Sequence, residues 1–238
     1  MPRIEEFFLP TDGNDWLPAI ARAQQEFHRP DDPTGTPGFT LEFGPSQYFF
    51  SDTIRLRRSM HLVGAAGKMF STVFKFGPDK GGILCAWRLS GADQFRSDTS
   101  IIERITLQGG GGTSATAHGI TMEVKVALRD LALVAFPGDG IHIEATHPAG
   151  NANNWHISNV QINGCGGDGV SVAGTDANSG YANLLVIQDN AGWAIRDHSA
   201  ELGNTYISCV AEGPGAGSTP GASVPIRRGR SSSTATSK

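Results

Sequence analysis

The sequence predicts an all-β chain folded as a single-stranded parallel β-helix, a solenoid whose coils stack on copies of themselves. The main observation is a tandem repeat between Val126 and Gly174, in which VALRDLALVAFPGDGIHIEA aligns with NWHISNVQINGCGGDGVSVAG. Each segment holds two short strand patterns joined by a glycine-rich corner that contains Asp-Gly. Such a unit cannot bury its own apolar face, so it must stack. Composition agrees, because 31 glycines and a charged fraction of 18% suit short strands joined by frequent corners.

A single helix pattern precedes the strands, in TDGNDWLPAIARAQQEF from Thr11 to Phe27. Asn14 or Asp15 can cap its first turn by accepting backbone N–H groups, and Pro18 is harmless there because it lacks only a donor that would be unused. Apolar residues follow with helical spacing. We therefore expect an α-helix over about 14–28 that caps the first coil.

Short strand patterns separated by glycine continue to Glu212, which predicts one solenoid domain over 1–212. From Gly213 onward, glycine, proline, serine and threonine dominate and almost nothing can be buried, so we expect a disordered tail over 213–238. The change is abrupt. Either the tail is native or the β-helix is truncated before it, and an uncovered last coil would invite a partner or a missing segment to pair with it.

Charge and cysteine content exclude several classes of protein. The formal net charge is −4, and the four basic residues after Gly213 leave the preceding body more acidic still, which argues against binding nucleic acid. Three cysteines at unrelated spacings form neither a disulfide framework nor a zinc pattern, so we expect them to be buried. We see no secretory signal and no membrane span.

Three stretches resemble the right-handed parallel β-helix proteins of the pectate-lyase superfamily. TDGNDWLPAIARA is similar to that family's N-terminal capping motif, and LEFGPSQYFFSDTIRLRRSMHLVGAAG is similar to its first coil. NNWHISNVQINGCGGDGVSV resembles coils of its bacterial and phage members, including tailspike-like proteins. The resemblance implies a right-handed β-helix and favours a polysaccharide as the partner. Catalytic motifs of the polygalacturonases and alginate epimerases do not carry over to this chain.

Two functions stay open after this resemblance. The first is a carbohydrate-active enzyme, a polysaccharide lyase or a glycoside hydrolase, acting on an extracellular or capsular polysaccharide. The second is a non-catalytic polysaccharide-binding or structural module, such as a phage tailspike or fibre fragment that assembles as a homotrimer. Either function implies an extracellular or virion-associated location. Fold alone does not choose between them, so the site has to be argued from its chemistry.

Asp139 and Asp168 occupy equivalent positions in the repeat, and we expect them to stack on adjacent coils about 4.8 Å apart. Two carboxylates at that spacing raise one pKa and lower the other, and retaining glycosidases hold their carboxyl groups about 5–5.5 Å apart. An aspartate before glycine is also a common turn residue that binds nearby backbone N–H groups. We expect His118 and Ala191 at the same position on the flanking coils.

His142 and Glu144 are expected on the outward face of the strand that follows Asp139, because Ile141 and Ile143 then point inward. With Asp139 and Asp168 they form a polar patch suited to general acid–base catalysis. The catalytic candidates are therefore Asp139, Asp168, Glu144 and His142. An ordinary solvated outer face is the alternative.

A further polar row is expected from Arg104, Asp130 and Asn159, one residue before the inward Ile105, Leu131 and Val160. Its alternating charges favour a structural ladder.

Sugar-binding candidates come from aromatic rings and polar corner loops, and comprise Trp155, Asp176, Asn178 and Tyr181. Trp193 aligns with Ile141 and Val170 when Gly192 is matched to Gly140, so we expect it in the core. Asp176 and Asn178 are residue types that bind Ca²⁺, but their spacing matches no calcium loop. We therefore predict no metal site and no cofactor.

Overall fold

The structure is a computed structural model, which describes residues 1–27, 38–57, 59–66, 71–88, 95–97, 99–145, 151–199, 203–213 and 227–228. It is an all-β parallel solenoid with one short α-helix near the N-terminus of the described chain, which confirms the predicted fold class. Apart from Gly213 and Arg227–Arg228, the predicted tail lies outside the described residues. No helix among them is both long and apolar enough to cross a membrane.

Two 3₁₀ turns, Ile4–Phe7 and Pro10–Asp12, precede helix α1, Leu17–Glu26. The strands are β1 Phe39–Phe43, β2 Gln47–Phe50, β3 Ile54–Leu56, β4 Met60–Gly64, β5 Val73–Phe76, β6 Ile83–Cys85, β7 Trp87–Arg88, β8 Phe95–Arg96, β9 Ser100–Glu103, β10 Thr106–Gln108, β11 Ile120–Met122, β12 Val126–Val134, β13 Ile141–Glu144, β14 His156–Asn163, β15 Val170–Gly174, β16 Tyr181–Gln188, β17 Ile195–Ser199, β18 Thr205–Ile207, β19 Val210–Glu212 and β20 Arg227–Arg228.

The strands form two parallel sheets that enclose one apolar core. Sheet A has twelve strands, and sheet B has six in the order β17-β15-β13-β11-β6-β3, one from each coil. Strands β7 and β8 form a separate antiparallel pair. The core is built from inward rows such as Ile120, Ile141, Val170 and Ile195, which are paired in register and fully buried.

Sheet A bends along a row of residues in the left-handed region of backbone space. Arg104, Asp130, Asn159 and Leu184 have φ between 52° and 58°. Asn159 Nδ2 donates to Asp130 Oδ1 at 2.6 Å across adjacent coils. Asparagine and aspartate tolerate this conformation better than most residues. The predicted structural ladder is confirmed for Asp130 and Asn159, whereas Arg104 lies in the same row but donates through Nε to the carbonyl of Gly64 at 3.2 Å.

Helix α1 packs on the open end of the first coil, as the sequence predicts. Asp15 connects the two elements: its Oδ1 accepts the N–H of Leu17 at 3.0 Å and of Ser51 at 3.1 Å, and its Oδ2 accepts the Ser51 hydroxyl at 2.6 Å. Buried Gln24 donates to the carbonyl of Arg55 and accepts the N–H of Arg57. The helix thereby satisfies backbone groups that the first coil would otherwise leave exposed.

The three cysteines are free and buried, which confirms their expected role as small core residues.

Candidate functional site

The corner before sheet B carries a ladder of side-chain to backbone hydrogen bonds. His118 Nδ1 accepts the N–H of Asp139 at 2.9 Å, Asp139 Oδ1 accepts the N–H of Asp168 at 2.7 Å, and Asp168 Oδ1 accepts the N–H of Trp193 at 2.7 Å. Each side chain therefore accepts the backbone N–H of the equivalent residue on the following coil. One oxygen of each predicted carboxylate thus binds a backbone N–H group, as a turn aspartate would, but that group lies on the following coil and not in the same turn.

Glycines make room for this ladder. A Cβ atom at Gly167 would lie 2.3 Å from Asp139 Oδ1, and one at Gly192 would lie 2.2 Å from Asp168 Oδ1. Both distances are too short for any side chain. The aspartate of the preceding coil therefore requires a glycine at 167 and 192, and at Gly138 the same place is taken by His118 Nδ1, which a Cβ would approach to 2.8 Å.

The second oxygen of Asp139 faces two imidazole rings. Asp139 Oδ2 lies 2.8 Å from His142 Nδ1 and 3.3 Å from His118 Nδ1. The two rings stack with centroids 4.2 Å apart and planes 11° from parallel. His142 Nε2 lies 3.4 Å from Glu144 Oε2. Asp139, His142 and Glu144 therefore form a continuous polar chain along strand β13.

The two histidines differ in electrostatics. Burial and the neighbouring His142 lower the pKa of His118 to about 4, so its ring is neutral at neutral pH. The hydrogen bond that His142 donates to Asp139 raises the pKa of His142 against the opposing effect of burial. Burial also opposes ionisation of Asp139, but hydrogen bonds from His142 and the Asp168 amide outweigh it and lower the pKa of that carboxyl. The arrangement favours a carboxylate beside an imidazolium.

Asp168 has a different environment from Asp139. It is almost fully buried, and its Oδ2 forms an ion pair with Arg196 Nε at 2.9 Å, although that N–H is not aligned for a hydrogen bond. Burial raises the pKa of Asp168 despite the Trp193 amide, and the charge of Asp139 acts in the same direction as burial. One raised and one lowered pKa is the outcome expected for a stacked pair, but both oxygens of Asp168 already have partners within the solenoid.

An open groove of about 280 Å³ lies over the outer face of sheet B. Its floor crosses strands β3, β6, β11 and β13. The lining residues are Thr53, Arg55, Gly81, Ile83, Leu84, Thr116, His118, Thr121, Glu123, His142 and Glu144. Of the four predicted catalytic residues, His142 and Glu144 line the groove, Asp139 supports it from below, and Asp168 is not part of the lining.

The predicted alignment of the last coils was wrong by two residues. Strand β15 pairs with β17 in the register Val170 with Ile195, which places Trp193 beside Asp168 and Arg196 beside Ser171. Trp193 is therefore not a core residue; it is 42% exposed. Ala191 likewise does not occupy the position expected for it. The ladder glycine Gly192 had been matched to Gly169, whose true equivalent is Ala194.

The four predicted sugar-binding residues lie away from the groove. Trp155 is 1% exposed and donates through Nε1 to the carbonyl of Ala177, so neither ring face is available to a sugar. Asn178 is buried and donates to the carbonyl of Thr175. Tyr181, in sheet A, packs against His156 with ring centroids 5.4 Å apart. Asp176 belongs to the loop between strands β15 and β16, where its carbonyl accepts the Ala152 N–H.

Sequence reasoning missed Glu123, Arg55 and Arg196. Glu123 was within reach of the alternation argument, because it follows Met122, which pairs with Ile143, and so stands beside Glu144 on the neighbouring coil. Arg196 required the correct register. Arg55 required knowledge of which coil lies three strands away, which the irregular loop lengths conceal.

A donor set for a metal ion also lies at this corner. His118, Asp139 and His142 each offer one ligand atom, and these atoms lie within 4.8 Å of one another. Two imidazoles and a carboxylate are ligands that divalent transition metals prefer. The sequence spacing gave no reason to expect a metal site, because these donors come together only when two coils stack.

Fold and site together describe a parallel β-solenoid with a polar outer groove. A comparison with protein-family models finds no match, and neither does a comparison with curated proteins. Among solved structures, ORF18 of Geobacillus virus E2 is 18% identical with a TM-score of 0.63, and the match covers 89% of this chain and 42% of that one. A structure titled the Agl-KA catalytic domain is 15% identical with a TM-score of 0.57, covering 90% of this chain and 48% of that one.

The chain therefore spans less than half the length of these two structures, and the similarity establishes the fold alone. It supports the parallel β-helix that the sequence resemblance implied. Membership of the pectate-lyase superfamily stays a prediction.

Proposed function

We propose that this chain is a carbohydrate-active β-solenoid that binds a polysaccharide along the groove of sheet B and cleaves it there. The observation that carries this proposal is the Asp139–His142–Glu144 chain opening into the groove. An imidazole held by a buried carboxylate, with its other nitrogen towards a second carboxylate, is an arrangement suited to general acid–base catalysis.

The charges of the groove favour hydrolysis of an uncharged polysaccharide over elimination from a polyuronate. Among the described lining residues, Glu123 and Glu144 are acidic and Arg55 is the one arginine or lysine. With Asp139 below the groove and an imidazolium at His142 counted as well, three acidic groups face two cations, so a uronate would meet net repulsion, whereas elimination needs cations to neutralise its carboxylate. Three threonines, Thr53, Thr116 and Thr121, offer hydroxyl groups to a neutral sugar.

The roles follow from the contacts. His142, with its raised pKa, is the proton donor to the leaving oxygen, and Asp139 orients its ring and stabilises its charge. Glu144 is the carboxylate that assists water or the developing positive charge on the sugar. Asp168 supports the corner through the Trp193 amide and Arg196 rather than acting on substrate.

The test is release of reducing ends from a panel of neutral polysaccharides, alongside polyuronates monitored for unsaturated products. Removing a general acid typically costs about 10²–10⁴-fold in rate, and we expect that loss in His142→Gln. His198→Gln is the matched control, because His198 is exposed on the same sheet and outside the groove lining. Full activity in His142→Gln, or no product from any polysaccharide, would contradict the proposal.

A non-catalytic polysaccharide-binding or structural module is the second candidate. The similarity to a phage protein over 89% of this chain favours it. The hydrogen bonds that Asp139 and Asp168 accept from backbone amides at the corner before sheet B favour it as well, since they give both residues a structural role. This alternative includes a virion-associated location and assembly as a homotrimer. Binding to a polysaccharide without any product, together with a trimer by light scattering, would favour it over cleavage.

A further inference from the structure

We propose that His118, Asp139 and His142 bind one divalent transition-metal ion, of the class of Zn²⁺, at the corner below the groove. The inference goes beyond the glycan proposal and does not depend on it: the metal-bound chain has no imidazolium at His142, so the role of His142 as proton donor belongs to the metal-free chain. It rests on the positions of three donor atoms and on one contact that the hydrogen bonds of the protein leave unexplained.

Two of the three donor separations are those that a metal ion imposes on its ligands, and all three lie within 4.8 Å. Asp139 Oδ2 is 2.8 Å from His142 Nδ1 and 3.3 Å from His118 Nδ1. Metal–ligand bonds of about 2.0–2.2 Å to nitrogen and oxygen place neighbouring ligands roughly 3 Å apart. An ion therefore fits among these atoms with small adjustments of the side chains.

The unexplained contact is between His118 and Asp139. His118 Nδ1 accepts the N–H of Asp139, so this nitrogen carries no proton. It nevertheless lies 3.3 Å from Asp139 Oδ2, so two electron-rich atoms without a proton between them are close together. That contact is repulsive, and a cation between the two atoms would make it attractive. The hydrogen bond from His142 explains its own side of the cluster but not the position of His118.

The cluster is also preorganised and accessible. Asp139 Oδ1 is held by the Asp168 amide at 2.7 Å, which fixes the orientation of the carboxylate as outer-shell hydrogen bonds do at metal sites. The side chains of His118 and Asp139 are each 13% exposed and that of His142 is 23% exposed. Three protein ligands leave positions open for water or substrate on the groove side.

Binding has a defined proton balance. In the metal-free protein with a neutral His142, the Nδ1 proton of that ring lies between His142 and Asp139. The ion takes the place of this proton, which moves to Nε2 of the same ring. The ion also takes the single lone pair of His118 Nδ1, so the Asp139 amide gives up that acceptor. No proton is therefore released to buffer when His142 is neutral, and one is released when His142 is an imidazolium, because His118 Nδ1 and the Asp139 carboxylate have none to lose.

The experiment is calorimetric titration of the chelator-treated full chain with ZnCl₂, in two buffers of different ionisation enthalpy. We expect one ion per chain, release of about one proton at a pH where His142 is an imidazolium and of almost none where it is neutral, and a higher melting temperature in the presence of Zn²⁺. His118→Gln and His142→Gln should each weaken Zn²⁺ binding at least about tenfold, in the range seen for disturbed metal sites.

His156→Gln is the matched control, since His156 lies in sheet A and should bind Zn²⁺ like the wild type. Circular dichroism of each variant checks that it is folded. If either histidine variant is unfolded, Asp139→Asn takes its place, because it keeps an oxygen for the Asp168 amide and should also weaken Zn²⁺ binding. The inference would be overturned if the wild type did not bind Zn²⁺, or if folded His118→Gln and His142→Gln bound Zn²⁺ as tightly as the wild type. Hydrolysis that is insensitive to chelator, without Zn²⁺ binding, would overturn this site and leave the glycan proposal standing.

Discussion

The corner around Asp139 and the network around Asp197 each contain an aspartate with several hydrogen-bond partners, but the first lies at an open groove and the second is buried in the core. Asp139 has one oxygen on a backbone amide and one on two imidazoles that line an open groove. Asp197 points into the core, where Oδ1 accepts the N–H and hydroxyl of Ser199 and Oδ2 accepts Asn204 Nδ2 at 3.0 Å and the Tyr206 hydroxyl at 2.9 Å.

The difference shows which polar cluster can act on a ligand. Around Asp197 every contact just described joins groups within the protein, and burial, reinforced by Asp197, raises the pKa of Tyr206 well above its ordinary value. Around Asp139, His142 and Glu144 keep polar atoms at the groove surface. The buried network therefore fixes the last coils, whereas the corner combines a structural bond with groups that solvent and substrate can reach.

The largest expected effect is on the buried side of this comparison. Asp197→Ala removes the acceptor from two buried donors, Asn204 Nδ2 and the Tyr206 hydroxyl, and each unsatisfied buried group costs about 1–3 kcal/mol. We expect urea denaturation to show a loss of about 3–5 kcal/mol in the free energy of unfolding.

Glu212→Ala is the control for that measurement, because exposed Glu212 accepts a hydrogen bond from Gln188 at the surface. It should change the free energy of unfolding by less than about 0.5 kcal/mol. A loss in Asp197→Ala no larger than this would show that the buried network contributes little to stability.

The second prediction concerns His118 and acid stability. Its pKa is lowered to about 4 in the folded protein, so its contribution is fully present above the ordinary value of 6.5 and is lost as the pH falls towards 4. His142 acts in the opposite sense, since its raised pKa makes a contribution that is lost as the pH rises through the folded value. Each pKa unit corresponds to about 1.4 kcal/mol.

We therefore expect His118→Gln to lose about 2–3 kcal/mol less stability than the wild type between pH 7 and pH 4, as measured by urea denaturation at a series of pH values. Parallel pH profiles for the two proteins would mean that protonation of His118 does not oppose folding. The half-buried ring in the groove corner would then be electrostatically equivalent to an exposed one.

The smallest effect tests the structural half of the corner. Gly167→Ala would place Cβ 2.3 Å from Asp139 Oδ1, so the carboxylate must move off the Asp168 amide. Overpacking of this kind typically costs about 1–3 kcal/mol, and we expect a value near 2 kcal/mol in thermal denaturation.

Gly77→Ala is the matched control, because a Cβ there has no neighbour closer than 3.7 Å. If both glycine variants melt at the same temperature, the contact between Asp139 and Gly167 is not limiting for the fold.

The sequence was sufficient for the strands and for the stacking of Asp139 on Asp168, because Asp-Gly recurs at the same distance from the inward apolar residues in both repeats. It was not sufficient for the next coil. There Gly192 occupies the position of Gly167, where the preceding aspartate requires it, and Ala194 occupies the position of Gly169. A glycine-based alignment therefore shifted by two residues and lost Arg196.

The sugar-binding predictions for Trp155 and Asn178 were wrong for a related reason, since both side chains are buried, whereas those for Asp176 and Tyr181 stay predictions. An aromatic residue near the start of a coil can either fill the core or present its ring to a sugar, and the sequence alone does not distinguish the two roles. Trp155 fills the core beside Gly180, whose missing side chain leaves space for the indole ring. The groove instead draws its residues from four coils, a combination that appears only when the register is known.

The amide ladder also gives the solenoid a direction. Every rung has its acceptor on the earlier coil and its donor on the later one. A chain that is synthesised from its N-terminus therefore displays a ready acceptor to each coil as that coil arrives. Shortening the protein from its C-terminal side leaves carboxylates that water solvates well. Removing early coils instead leaves backbone N–H groups of the next coil without their side-chain acceptors. The order of synthesis and the polarity of the corner thus favour the same sequence of assembly.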